Sequence, residues 1–266
     1  MDITEALARF DAQMRRDLSP SSPAWRVERV GPVVRWVSPP ELQRGCSVQW
    51  SDLDEDTADD AIAGQVSYFA GLGRRFEWKT YGHDRPADLG ARLRAAGLEP
   101  EEEEALAIGS VEEVTATTAG TEPPPEVTVR RLDDGEPLDG IAALQSAVAG
   151  GDWAWLVTEL RQEQQADPTA LSIHVAEANG EVVCAAWVRF HRGTEFASLW
   201  GGSTLRAWRR RGIYRSLVAR RAAQARERGL RYLQVDASPD SRPILVRLGL
   251  HVVSTTTPYV WSPPSS

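Results

Sequence analysis

Arg209-Arg210-Arg211-Gly212 stands directly before a run of helical periodicity, "IYRSLVARRAAQARE". A helix start already presents free backbone N–H groups and the positive end of the helix dipole. Guanidinium groups added there repel cations and suit an anion, phosphate oxygens above all. Glycine lets the backbone come close to a ligand and adopt a positive φ. A solvated basic helix has the same composition, so the surrounding elements must decide. Ile213, Leu217, Val218, Ala222 and Ala225 form one apolar stripe on this helix, with the arginines expected elsewhere.

The loop follows a strand read from "EFASLWGGST". Paired glycines inside a strand, here Gly201-Gly202, suggest a bulge or a close approach by another backbone. The helix is expected over 213–228, with Gly229 as its C-terminal cap. A strand "YLQVDA", a helix over 240–248 and a strand "HVVSTTTPYVW" follow. Upstream, "VTVRRL" reads as a strand, and "PLDGIAALQSAVA" and "WAWLVTELRQEQQA" read as helices. Two strands then meet at Asn179-Gly180, a hairpin signal.

The first half reads as a helix over 3–18, with Ile3, Leu7, Phe10 and Met14 on one stripe. Strands "WRVERV", "VVRWVS" and "CSVQWS", a helix over 57–72, strand "FEWKTYG", a helix over 86–96 and strand "EALAIGS" follow. "TTAGTEPPPEVTVRR" reads as a linker, which divides the chain into 1–122 and 126–266. A weak repeat relates the halves: Asp84, Leu93, Gly97 and Leu98 overlie Asp236, Leu245, Gly249 and Leu250 without a gap.

Composition sets the outer limits. The chain has 266 residues and a formal net charge of -8, which argues against a general affinity for nucleic acid. Residues 1–125 carry 13 basic and 23 acidic groups, a net of -10, and residues 126–266 carry 17 and 15, a net of +2. Cys46 and Cys184 are far apart, show no metal-ligand spacing and are expected as buried thiols. The N-terminus has early acids and no apolar signal core, and no run is long enough to span a bilayer. A cytoplasmic protein that binds no metal, membrane or nucleic acid is expected.

The ordered set of glycine-bearing strand, Arg-x-x-Gly loop, helix, strand "YLQVDA" and "SRPILVRLGL" resembles the GNAT superfamily of acyl-CoA-dependent N-acyltransferases. Arg209 and Gly212 match the first two fixed positions of its Arg/Gln-x-x-Gly-x-Gly/Ala loop, and Tyr214 stands where Gly or Ala is usual. Leu248-Gly249-Leu250 stands where the family has Leu-Gly-Phe. The resemblance covers about residues 126–262. It implies an α/β fold of two tandem GNAT-like domains, each a mixed, mostly antiparallel sheet flanked by helices. The first domain is degenerate, because "SDLDEDTADDAIAG" replaces the basic loop with aspartates that repel phosphate.

The resemblance also assigns roles. Acetyl-CoA or another acyl-CoA would lie where the sheet splits. Its pantetheine arm would pair with backbone at Gly202, Ser203 and Thr204. Its pyrophosphate would sit over the amides of Arg211, Gly212, Ile213, Tyr214 and Arg215, with Arg209 and Arg210 nearby. Ser238 maps to the family's asparagine. The acceptor would be a primary amine of a small molecule or peptide. The family's usual tyrosine acid maps to Leu245, which has no proton to donate. For the general base, Glu195 is the best-placed carboxylate, with Asp236, His174 and His191 as alternatives. Trp153, Trp155, Trp187 and Trp200 are core residues or acceptor-pocket walls. Two further readings stand beside catalysis: a non-catalytic acyl-CoA-binding scaffold, and nucleic-acid binding through the arginines of 206–231.

Overall fold

The structure is a computed structural model describing residues 1–17, 19, 24–42 and 44–264. Its elements, in chain order, begin with α1 (Ile3–Phe10), a π-helical turn (Asp11–Arg16), β1 (Arg26–Val30), β2 (Val33–Val37) and β3 (Ser47–Ser51). Then come α2 (Ala58–Gly71), β4 (Phe76–Tyr81), α3 (Leu89–Ala95), β5 (Glu99–Pro100), β6 (Glu104–Ser110) and α4 (Val111–Thr118). The second half contains β7 (Thr128–Arg131), α5 (Asp139–Ala149), α6 (Ala154–Ala166), β8 (Leu171–Ala178), β9 (Glu181–Phe190) and β10 (Phe196–Thr204). It closes with α7 (Ile213–Glu227), β11 (Tyr232–Ala237), α8 (Arg242–Arg247) and β12 (His251–Trp261). The expected helix over 3–18 changes pitch at Asp11, and its last residue lies outside the described ones.

The chain forms two compact units. One holds Ile108–Val235 and Ile244–His251, and the other holds Asp2–Ala107, Asp236–Pro243 and Val252–Ser266. The sequence reading cut the chain at 122–126 instead. Two things moved the boundary. The unexpected helix α4 occupies the residues before the linker, and Ser110 starts it by accepting from Glu113 N at 3.5 Å. Strand β12 also pairs antiparallel with β4, from Thr256 opposite Tyr81 to Trp261 opposite Phe76. Tyr259 and Trp261 thereby join the core of Phe69, Phe76, Trp78, Leu89 and Leu93.

In the 108–235 unit the strands run β11-β10-β9-β8-β7. Neighbours are antiparallel except for β10 and β11. The hairpin between β8 and β9 turns at Asn179 (φ 53) and Gly180 (φ 80), as a two-residue turn with both central φ positive requires. Alternate β9 side chains serve the two faces. Ala185 and Trp187 pack with α5 and α6, and Cys184 and Ala186 pack with Ile213 and Leu217 of α7.

The repeat seen in the sequence has matching structural roles. Leu93 and Leu245 are both fully buried, and Leu98 and Leu250 nearly so. Gly97 and Gly249 both take a positive φ, +86 and +96, as C-terminal caps of short helices.

Candidate functional site

The site is built on β10 and the start of α7. The parallel pairing of β10 with β11 covers only Phe196↔Tyr232, Ala197↔Leu233 and Ser198↔Gln234, and β10 continues alone to Thr204. Its backbone polar groups beyond Ser198 are thus released from β11. On the other edge the register with β9 steps from Trp200↔Trp187 to Ser203↔Ala185, so three residues of β10 span two of β9. That is a one-residue bulge at Gly201-Gly202.

Both glycines are required by what touches them. A Cβ on Gly201 (φ +65) would lie 1.9 Å from the Trp187 ring, and one on Gly202 would lie 2.5 Å from Tyr214 Cε2. An indole and a phenol therefore clasp the bulge, and only glycine leaves room for them. Gln145, buried on α5, fixes the bulge further. Its Nε2 donates to Gly201 O at 3.2 Å, and its Oε1 accepts from Ser203 Oγ at 2.8 Å. Sequence reasoning missed Gln145, although an amide beside Leu144 on an apolar stripe was a signal.

Gly212 caps α7 with φ +80 and ψ -5, and no side chain accepts from the first turn. The first amides of α7 have no intrahelical acceptor. A Cβ added at Gly212 would meet nothing within 4 Å, so open space lies over this helix end. Arg210 also takes a positive φ, +63, which is unusual for a side chain of its size and adds backbone strain to the loop.

The loop arginines divide by partner. Arg209 Nε donates back to Thr204 O at 3.1 Å, tying the loop to the end of β10. Arg211 lies 3.3 Å from Glu126, with both side chains about half exposed, and 4.8 Å from the Trp208 ring centroid. Arg215 donates to Thr117 O at 2.7 Å, at the C-terminal end of α4, where carbonyls favour a cation. Arg210 is exposed and has no side-chain partner among the described residues. Gly202, Ser203, Thr204 and the 209–215 loop are therefore contiguous.

Two other expected site residues have their own local partners. Ser238 belongs to the compact unit that holds 2–107, and its hydroxyl accepts from Ser241 N at 3.3 Å in the turn before α8. Glu195 precedes β10 at the end where β11 is still paired, and its carboxylate meets Arg231 at 2.9 Å. Six residues separate it from Gly201, about 20 Å along a strand. Glu195 is thus placed at the paired end of β10, with Arg231 as its partner.

Two histidines, His174 and His191, bond to neighbouring polar side chains and are shifted towards the neutral form. His174 is 3% exposed, and its Nε2 lies 3.0 Å from Gln224 Oε1. Burial, with Arg221, Arg131 and Arg220 nearby, pulls it down to about 4. His191 Nε2 lies 2.7 Å from Ser198 Oγ, and burial likewise pulls it to about 4. The Cys184 thiol, 3.1 Å from Thr204 Oγ1, is pushed up to about 11 by burial and is inert at neutral pH. Trp187 is core, whereas Trp155 and Trp200 are exposed.

Arg221 corrects the expected helix face. It falls on the buried i, i+4 row between Leu217 and Ala225 and is 1% exposed. Its Nε donates to Leu217 O and its NH1 to Trp187 O, and its NH2 has no partner. Burial pulls this guanidinium below its ordinary range, and Tyr214 opposes that shift.

A second group of interacting charges lies in the other unit. Lys79 Nζ is 2.5 Å from Asp236 Oδ2, with side chains 15% and 11% exposed. Burial alone would lower the Lys79 ammonium, and Asp236 reverses that and raises it. Burial, with Asp236 nearby, pushes the Glu104 carboxyl up to about 7. Glu104 is the first residue of β6 and closes the acidic run Glu101–Glu104. Among the described residues no cluster of His, Cys, Asp and Glu is arranged to hold a metal ion. No described helix is long and apolar enough to cross a membrane.

Comparison with known proteins agrees with this architecture. Residues 139–249 match the model of the acetyltransferase (GNAT) family. That segment carries the GNAT match, and the chain has a mixed α/β, mostly antiparallel fold like that of tandem GNAT proteins. It is similar to a GCN5-related N-acetyltransferase from Kribbella flavida over 99% of this chain and 95% of that one, at 18% identity and a TM-score of 0.67. It is similar to a tandem GNAT protein from the clavulanic acid biosynthesis pathway over 94% and 86%, at 12% identity and a TM-score of 0.61. A GCN5-related N-acetyltransferase from Sphaerobacter thermophilus matches over 97% and 85%, at 14% identity and a TM-score of 0.52. At these identities the likeness speaks for the fold. No curated protein matches the chain.

Proposed function

We propose that this protein is an acyl-CoA N-acyltransferase that uses acetyl-CoA and acylates a primary amine of a small molecule or peptide. One observation carries the reading. β10 leaves β11 after Ser198, bulges at Gly201-Gly202 and runs into a helix capped by Gly212 and flanked by arginines. The residues present fit coenzyme A. The β10 edge at Gly202 and Ser203, which β11 does not pair, suits the amides of a pantetheine arm. The amides of 211–215, the open space at Gly212 and Arg210, which has no side-chain partner among the described residues, suit a pyrophosphate. The thioester, when bound, supplies an activated acyl group. The protein's part is to hold it in line with an amine, and placement alone accounts for a large share of rate.

The acidic balance of residues 1–125 supports a cationic acceptor, which the local potential would concentrate. Leu245 favours a second reading. It is fully buried and apolar at the position where relatives place their acid, as in a scaffold that binds acyl-CoA without turnover. Calorimetry with coenzyme A and acetyl-CoA, followed by thiol release against a panel of amines, tests both. Micromolar binding with turnover is expected. Binding without turnover on any amine would select the scaffold, and no binding would remove both readings.

A further inference from the structure

We propose that Tyr214 protonates the departing thiolate, with Arg221 as the positioning residue behind its phenol. This rests on the acyltransferase reading above and deepens it. The motif places a small residue at 214 in relatives, and here the position carries the first titratable hydroxyl on α7. The ring lies against the bulge: a Cβ on Gly202 would be 3.0 Å from Tyr214 Oη. That oxygen therefore sits at the stretch of β10 that β11 has left.

Arg221 follows Tyr214 by seven residues, two helical turns, and so lies on the same side of α7. Its guanidinium carbon is 5.8 Å from the Tyr214 ring centroid. Among the described residues no carboxylate pairs with Arg221, and its NH2 is buried without a hydrogen-bond partner. A buried, unpaired positive charge is unfavourable in a resting protein. It becomes useful if negative charge forms beside it during turnover.

The amine nitrogen bonds to the acyl carbon, and the C–S bond breaks with its electron pair going to sulfur. Sulfur takes the Tyr214 hydroxyl proton, which leaves a phenolate facing Arg221. The proton released by the acylated nitrogen returns to the phenolate through solvent.

Tyr214→Phe removes one oxygen and keeps the ring against Gly202. It should lower kcat by ~10²–10⁴-fold, with the coenzyme A dissociation constant changed less than about tenfold, the worth of one lost hydrogen bond between neutral groups. A binding measurement tests the position of the hydroxyl without turnover. The wild type should prefer coenzyme A over desulfo-coenzyme A by about fivefold, the worth of one net hydrogen bond, and Tyr214→Phe should lose that preference. Arg221→Met should lower kcat as well, and Arg221→Lys, which keeps the charge, should restore part of it. Full kcat in Tyr214→Phe, or an unchanged preference for the thiol, overturns the proposal and leaves the acyltransferase reading standing. A wild type that binds no coenzyme A overturns both.

Discussion

Replacing Gly212 with valine separates the conformational from the ligand-binding role of the loop. At φ +80 and ψ -5 the backbone is left-handed, and a side chain there raises the energy by roughly 1–2 kcal/mol, more when β-branched. The side chain itself meets nothing within 4 Å, so packing adds no further term. A loss of folding stability of about 2 kcal/mol is expected, read by urea unfolding. The effect on coenzyme A is larger, because the new methyl groups stand in the space over the α7 amides. Displacing phosphate oxygens from two such amides removes about 1.5–3 kcal/mol each, a weakening of at least ~100-fold. Gly212→Ala is the graded control, with similar strain and less obstruction. Isothermal calorimetry gives the affinity directly. If Gly212→Val binds coenzyme A within threefold of the wild type while losing the expected stability, the phosphate does not sit over this helix end.

Gly201→Ala should destabilise the protein by roughly 3–5 kcal/mol, because positive φ adds to an indole contact that must retreat; a midpoint within experimental error of wild type would contradict the clasped bulge. Leu245→Tyr should lower stability by roughly 1–3 kcal/mol without raising kcat, since the site is fully buried; faster turnover would show that this helix faces the sulfur. Glu104 is raised to about 7 in the folded protein, so its contribution is complete below its ordinary 4.5 and is lost as pH rises through 7. Glu104→Gln should therefore be the more stable protein at pH 8, by about 2 kcal/mol after allowance for partial exposure, and equal at pH 4. His174 has the opposite sign: depressed to about 4, its contribution is present above 6.5 and is lost as pH falls towards 4. Hydrogen exchange or thermal melts should show acid weakening over that window, reduced in His174→Gln; identical curves for the two proteins would show that His174 does not titrate there.

The parts of the fold legible in the sequence were those with local causes. The Asn179-Gly180 hairpin, the β10 bulge and the start of α7 each follow from glycine or asparagine at a position that needs positive φ or close approach. Helix α4 carries a start signal in Ser110 followed by Glu113, but its last threonines read as linker and the helix was missed. Arg221 shows why composition misleads: an arginine in a basic helix looks solvated, and only its place on the Leu217–Ala225 row reveals burial. Glu195 shows the reverse. Its nearness in sequence to the glycine strand says nothing of its partner, Arg231, which another element supplies. The link between β12 and β4 had no local signature, because strand pairing at a distance of about 180 residues leaves none.

That pairing has a consequence for how the protein is made. Strand β4 has left the ribosome, with most of its own unit, long before β12 is synthesised. Reaching Trp261 from Ala107 takes 154 further residues (261 − 107), about 8–30 s of elongation at ordinary rates of ~5–20 residues per second. Throughout that interval the β4 edge that β12 will occupy, beside the apolar residues that pack with Tyr259 and Trp261, stands open to other chains. The nascent protein is thus most exposed to chaperones, and to its own neighbours on a polysome, at the unit that is translated first and finished last.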